Sequence, residues 1–191
     1  DEPPILGLSA TPFRMDDEES RRLAKRFDGM WFPADQEHLH ARLRRRGVLA
    51  DAVYESLETG VPLSSDEVAR FSEMREPWDG LEFDNLVEAI NQRLAGNSER
   101  NERLVNCVQQ SREKSILFFC NSVLHAEEMS ARLNLAGLAA AAVSGGTPGV
   151  ARRYFLERFQ QGEIRILCNH SVLTTGFDAP KTDMVLIARQ V

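Results

Sequence analysis

The alternation of short apolar runs with amphipathic stretches between Lys114 and Val191 limits this chain to one kind of fold. Ser115-Ile116-Leu117-Phe118-Phe119-Cys120 and Ile164-Arg165-Ile166-Leu167-Cys168-Asn169 are strand-length runs that stop at small or polar residues. Leu138 to Val143 is a third run, built of small residues. Two helical patterns lie between them. The first begins with Ser122 as cap, turns Ala126, Met129, Leu133 and Ala136 inward and stops at Gly137. The second is expected to begin with Thr147 as cap and Pro148 as first helical residue. Its expected buried stripe is Ala151, Phe155 and Phe159, with Arg152, Arg153 and Arg158 outside and Gly162 as its end. Strand–helix–strand crossovers repeated in this way force a parallel sheet with helices on its faces. Open sheets of this kind bind ligands beyond the carboxyl ends of their strands, so function is expected in those loops.

The front of the chain repeats the pattern on a smaller scale. Ile5-Leu6-Gly7-Leu8-Ser9 reads as a buried strand, and Pro12 drives Thr11 out of the helical region, so Ser9 and Thr11 sit in a strand-end loop. Taken alone, the two hydroxyls are explained by a turn in which they bond their own backbone. Asp16 to Phe27 starts acidic and ends basic, as a solvated helix does. Gln36 to Arg46 is a second helix, with Leu39 and Leu43 on one face, Gly47 as its stop, and Arg42, Arg44, Arg45 and Arg46 at its end. That cluster reads first as a solvated helix end and second as a phosphate contact. Val48 to Leu57 reads as extended.

Residues 58–112 carry no strand pattern. Ser64 with Glu67 forms a capping box, Phe83, Leu86, Val87, Ile90 and Leu94 mark an amphipathic helix that stops at Gly96, and Asn97 or Ser98 caps a third helix with Leu104, Val105 and Val108 inward. The expected organisation is therefore 1–57, the end of a first α/β lobe; 58–112, a helical connector or insertion; and 113–191, a second α/β lobe.

The composition excludes several classes. With 29 acidic against 23 basic side chains, the net charge of −6 argues against a wholesale electrostatic clamp on nucleic acid but not against a local basic track. Cys107, Cys120 and Cys168 show no CxxC spacing and are expected as buried free thiols in a reducing compartment rather than a disulfide or metal site. No apolar run reaches the roughly 20 residues that span a bilayer, and Asp1-Glu2-Pro3-Pro4 is unlike a signal peptide. The expected location is cytoplasmic. The chain begins with Asp1 and no initiator Met, and it is expected to be a piece of something longer.

Four strand-end loops share one chemistry: Ser9-Ala10-Thr11, Cys120-Asn121-Ser122, Ser144-Gly145-Gly146-Thr147 and Thr174 to Pro180. Each offers hydroxyls, small residues or free backbone N–H groups close to a helix start, as phosphate grips do. In this order they resemble the motifs of a superfamily 2 helicase or translocase. Gly7-Leu8-Ser9-Ala10-Thr11-Pro12-Phe13-Arg14 resembles motif III, and Ser115 to Ser122 resembles motif IV. Gly145 through Arg152-Arg153, Leu156, Phe159 and Gly162 resembles the helix leading into motif V, and Val172 to Pro180 resembles motif V as the restriction-enzyme-type branch spells it.

That resemblance implies an α/β fold of RecA-like, P-loop NTPase helicase lobes, present here incompletely, with ATP between the lobes and a nucleic-acid strand across both. It implies that Ser9 and Thr11 couple the nucleotide state to the strand, that Gly176 and Asp178 bind ATP, and that Ser122, Gly145, Thr147, Thr174 and Thr175 bind nucleic acid. The implied cofactors are ATP and Mg²⁺. The implied partner is double-stranded DNA, with nuclease, methylase or defence-system subunits beside it. The implied role is in restriction, phage defence or repair.

The chain departs from the pattern in four places. It contains no G-x-x-x-x-G-K-S/T loop, no acidic box before Ser9 and no motif VI after motif V, so no catalytic or metal-binding residue is expected within it. The 191 residues are accordingly expected to be inactive alone. His170 stands where many relatives carry a backbone-touching Thr; it reads first as a hydrogen-bonded histidine at a strand end. Two other readings stay open. One is a degenerate RecA-like module that binds nucleic acid or a partner without ATPase activity. The other is an unrelated nucleotide-binding α/β enzyme, which the lack of a Gly-rich first turn disfavours.

Overall fold

A computed structural model describes residues 18, 21–22, 25, 39–73, 80–173 and 179–189. The chain divides into two compact units, Asp1–Ser56 and Leu57–Val191. In the first, helix α1 (Leu39–Arg45) ends where Gly47 takes φ +68° and the amides of Gly47 and Val48 close on Arg44 O and Leu43 O. Residues 50–59 form no hydrogen-bonded strand.

The second unit holds the expected parallel sheet. Strands β1 (Ile116–Phe119), β2 (Ala140–Val143), β3 (Ile166–Asn169) and β4 (Met184–Ile187) lie in the order β2-β3-β1-β4, every neighbouring pair parallel. This is the expected α/β layout, a parallel sheet with helices on its faces. Helix α5 (Val123–Leu135) links β1 to β2, and α6 (Gly149–Gln161) links β2 to β3. The pleat sends alternate residues to opposite faces. Ile116, Phe118, Cys120, Ile166 and Cys168 share one core with Ala126, Met129 and Leu133 of α5. Leu117, Leu167, Ala141 and Val143 share the other with Phe159 of α6. Burying a Phe118 or Leu133 side chain stabilises the unit by about 1.5–3 kcal/mol each.

The helical block contributes directly to the first core. Helix α2 (Ser65–Glu73) starts with the expected capping box, Glu67 N donating to Ser64 Oγ and Ser64 N to Glu67 Oε2. Arg93 of α3 (Gly80–Ala95) forks onto the same carboxylate at 2.8 and 2.9 Å and holds it below the usual carboxylate range. Helix α4 (Ser98–Gln110), capped by Asn97 Oδ1, places Leu104 and Val108 against Ile116 and Phe118. Its far end is fixed by Arg165, which precedes β3 and donates to the carbonyls of Val108, Ser111 and Glu113.

Two expectations fail locally. Thr147 does not cap α6: its hydroxyl accepts from Ser144 N at 2.9 Å, closing a tight turn, and Pro148 occupies the cap position with no side-chain bond. Nor does Arg152 stay outside. Its guanidinium folds back to Ser144 O, Gly145 O and Thr147 O, because the turn leaves those carbonyls pointing at the first turn of α6. The other end of α6 follows expectation, with Gly162 at φ +80°.

Candidate nucleic-acid interface

A parallel sheet delivers all its strand ends to one edge. After β1 comes Asn121-Ser122, after β2 Ser144-Gly145-Gly146-Thr147, after β3 His170 to Leu173, and after β4 Ala188. Because β3 separates β1 from β2, the first two loops stand two strand spacings apart, about 10 Å. Of the sequence-predicted site residues, Ser122, Gly145 and Thr147 are therefore brought to a common edge. Ser9, Thr11, Thr174, Thr175, Gly176 and Asp178 lie outside the described residues.

Each loop has a local reason for its shape. Ser122 Oγ accepts from His125 N at 3.0 Å and caps α5, which leaves its own O–H free to donate outward. Gly145 has open space where a Cβ would stand, and so does Gly149. A backbone bare at both points admits close approach by a ligand. Arg152 braces this loop from beneath, its Nε buried and without a partner among the described residues. After β3 the chain tightens. Ser171 (φ +53°) and Leu173 (φ +65°) both adopt the left-handed region that costs an L-residue about 1–2 kcal/mol. This strained stretch leads directly into Thr174. His170 is half-buried at the strand end, and Asn169 beside it is fully buried, its Nδ2 donating to Phe118 O at 3.2 Å.

Behind the edge lies a buried polar network that the sequence reading missed. Arg100, 5% exposed, donates through Nη1 to Asn121 Oδ1 at 3.1 Å and through Nη2 to Ala188 O. Asn121 Nδ2 donates to Asn91 Oδ1 at 2.8 Å. One guanidinium on α4 thus ties the loop after β1 to the end of β4, and Asn121 extends the tie to α3.

The ring of His125 is fixed from both sides. Its Nδ1 accepts from Asn121 N at 3.1 Å, so Nδ1 carries no proton, and Nε2–H donates to Asn101 Oδ1 at 3.1 Å. Asn101 in turn donates to Ala95 O. Burial first, and then the Arg100 charge, lower the His125 pKa from 6.5 to about 4.

The sequence did hold a signal for this network. Asn101 is on the helical stripe of Leu104 and Val108, and His125 on that of Met129 and Leu133, which places both polar side chains on faces that point into the core. Cys120 and Cys168 are buried free thiols as expected, whereas Cys107 is free but only partly buried. A hydrogen bond with Cys120, then burial, push the Cys168 thiol well above its ordinary range. Among the described residues, no group of three or more His, Cys, Asp or Glu could hold a metal ion, and no helix is long and apolar enough to cross a membrane.

Comparison with known proteins places this edge in context. Residues 99–190 match the family model of the helicase conserved C-terminal domain. The chain is 26% identical over 103 residues to the ATP-dependent rRNA helicase RRP3 of Scheffersomyces stipitis, covering 54% of this chain and 21% of that protein. It is 30% identical over 112 residues to the pre-mRNA-processing ATP-dependent RNA helicase PRP5 of Saccharomyces cerevisiae, covering 57% and 13%. It thus spans about a fifth or less of these relatives. Among solved structures, Mycobacterium smegmatis helicase Lhr bound to ssDNA and AMP-PNP aligns with a TM-score of 0.42 at 26% identity, covering 48% of this chain and 13% of that one. The Pyrococcus furiosus Hef helicase domain aligns with a TM-score of 0.43 at 23% identity, covering 58% and 23%. Residues 99–190 are thus similar to the helicase conserved C-terminal domain, and they carry the parallel sheet whose carboxyl edge holds Ser122, Gly145 and Thr147.

Proposed function

We propose that this chain is part of an ATP-dependent motor that couples ATP hydrolysis to movement along double-stranded DNA, in restriction, phage defence or repair. The observation that carries the reading is a coincidence of two facts. The helicase C-terminal match spans residues 99–190, and within it small and hydroxyl-bearing loops open at the carboxyl ends of adjoining parallel strands. In this reading Ser122, Gly145, Thr147, Thr174 and Thr175 hold backbone phosphates. Gly176 and Asp178 face ATP, and Ser9 and Thr11 relay the nucleotide state. Contacts from hydroxyls and backbone N–H groups to phosphates carry no base information, which gives the sequence-independent grip that a translocating motor needs.

ATP and Mg²⁺ belong to the whole motor. The described residues offer no carboxylate cluster for Mg²⁺, so no step is assigned to it here. What supports duplex DNA is the spelling of Leu173 to Pro180; the relatives RRP3 and PRP5 are named as RNA helicases, which makes RNA the competing substrate. Fluorescence anisotropy with duplex DNA, single-stranded DNA and single-stranded RNA of matched length decides between them. The expected order has duplex DNA tightest, with no dependence on base sequence. Tightest binding to RNA would replace the DNA assignment, and strong dependence on sequence would refute the backbone grip.

A further inference from the structure

Among the described residues, each helix arginine in an i,i+4 ion pair has a glutamate four residues before it. Glu18 pairs with Arg22, Glu99 with Arg103 and Glu128 with Arg132, at 2.6 to 2.8 Å. The end of α1 is built in the opposite way. Arg42, Arg44, Arg45 and Arg46 are all exposed, and the residues four positions before them are His38, His40, Ala41 and Arg42. No Asp or Glu occurs anywhere from residue 38 to residue 50, in a chain with 29 of them. Among the described residues none of the four arginines is in an ion pair, and the one hydrogen bond from their side chains is Arg45 Nε to Ala41 O at 3.4 Å.

The helix dipole accounts for one or two cations at a C-terminus. It does not account for four guanidinium groups within five residues, among which Arg42 meets the like charges of Arg45 at i,i+3 and Arg46 at i,i+4. Gly47 in the left-handed region ends the helix sharply, so the four groups are held around a single turn. What relieves the repulsion is a ligand with closely spaced negative charges. A phosphodiester backbone, one charge per about 1.7 Å of duplex axis, matches that requirement. Guanidinium is also the side chain best shaped to fork onto phosphate.

We propose that Arg42, Arg44, Arg45 and Arg46, in the first unit, form a nucleic-acid backbone contact additional to the residues at the carboxyl edge of the sheet. The proposal rests on the reading that this chain acts on nucleic acid. It adds a sequence-independent anchor that supplies affinity and salt sensitivity and no base recognition.

The test compares residues 1–191 with the quadruple variant R42Q/R44Q/R45Q/R46Q, using a fluorescein-labelled DNA duplex from about 50 to about 200 mM KCl, where salt dependence reports phosphate contacts. The side chains are exposed, so circular dichroism and thermal midpoint should not change. The expected result is a plot of log K against log salt that is shallower by about 3–4 in the variant, since each phosphate contact contributes about 0.9. At the low-salt end the variant should bind at least about tenfold more weakly. If the wild type binds duplex and the variant binds with the same slope, the cluster is a solvated helix end; the proposal falls and the motor reading stands. If the wild type binds no duplex but binds phosphatidylglycerol vesicles through these arginines, the ligand is a lipid surface, and both proposals fall.

Discussion

Lowering the pH from about 7.5 to about 5 will destabilise the unit Leu57–Val191 by about 2 kcal/mol through a single side chain, His125. The ring is 1% exposed, and its Nδ1 already accepts the Asn121 amide, so a proton there must displace a hydrogen bond. Burial and then Arg100 disfavour the cation, Glu128 opposes them, and Arg132 adds the smallest effect. In the folded state the pKa is about 4; in the unfolded chain it is 6.5. Between those values the unfolded chain takes up a proton that the folded one refuses. The contribution to stability is therefore fully present above pH 6.5 and is lost as the pH falls towards 4, at up to about 1.4 kcal/mol per unit. Carboxylates such as Glu67, whose folded pKa is lowered from 4.5, add their own loss further down, below this window. The assay is urea unfolding by far-UV circular dichroism at the two pH values, for the wild type and for His125→Gln, which does not titrate. The variant should lose about 2 kcal/mol less than the wild type over the interval. Equal losses in both proteins, or an NMR titration of the His125 ring in the folded protein with a midpoint near 6.5, would refute the argument.

Arg100→Ala should cost about 3 kcal/mol in the same unfolding assay, because Asn121 Oδ1 and Ala188 O lose their donor in a buried site; a loss under about 1 kcal/mol would mean that the guanidinium holds nothing together. Gly162→Ala should cost about 1–2 kcal/mol, the left-handed penalty alone, since nothing lies within 4 Å of the added Cβ. A larger loss would place a neighbour where the structure leaves space. Residues 1–191 by themselves should show no nucleic-acid-stimulated ATP hydrolysis, for lack of a P-loop lysine; turnover that survives a contaminant control would overturn that expectation.

The sheet was legible because its residues obey one period at a time. Phe118 and Met129 point inward under strand and helix spacing alike, and Ser122 and Gly162 punctuate the helices as their chemistry requires. The loop Ser144–Thr147 was legible as a ligand loop but not in its bonding. A Thr hydroxyl can cap the helix ahead or close the turn behind, and only the path of the backbone decides that Thr147 bonds Ser144 N. The network around Arg100 was hidden for a different reason. Its partners lie 21 residues away at Asn121 and 88 away at Ala188, and no local pattern encodes where a guanidinium finds neutral acceptors. Arg152 misled for the same reason, since a basic residue on the first turn of a helix reads as solvated unless the carbonyls opposite it are known.

The central claim is that nucleic acid lies across the carboxyl edge of the parallel sheet. Hydrogen–deuterium exchange on residues 1–191, with and without saturating duplex DNA, tests it most directly. The account predicts protection at residues 121–123, 144–151 and 170–178, and none at the opposite, amino edge, residues 111–114 and 162–165. Protection of the amino edge, with the loops after β1 and β2 exchanging as freely as before, would contradict it.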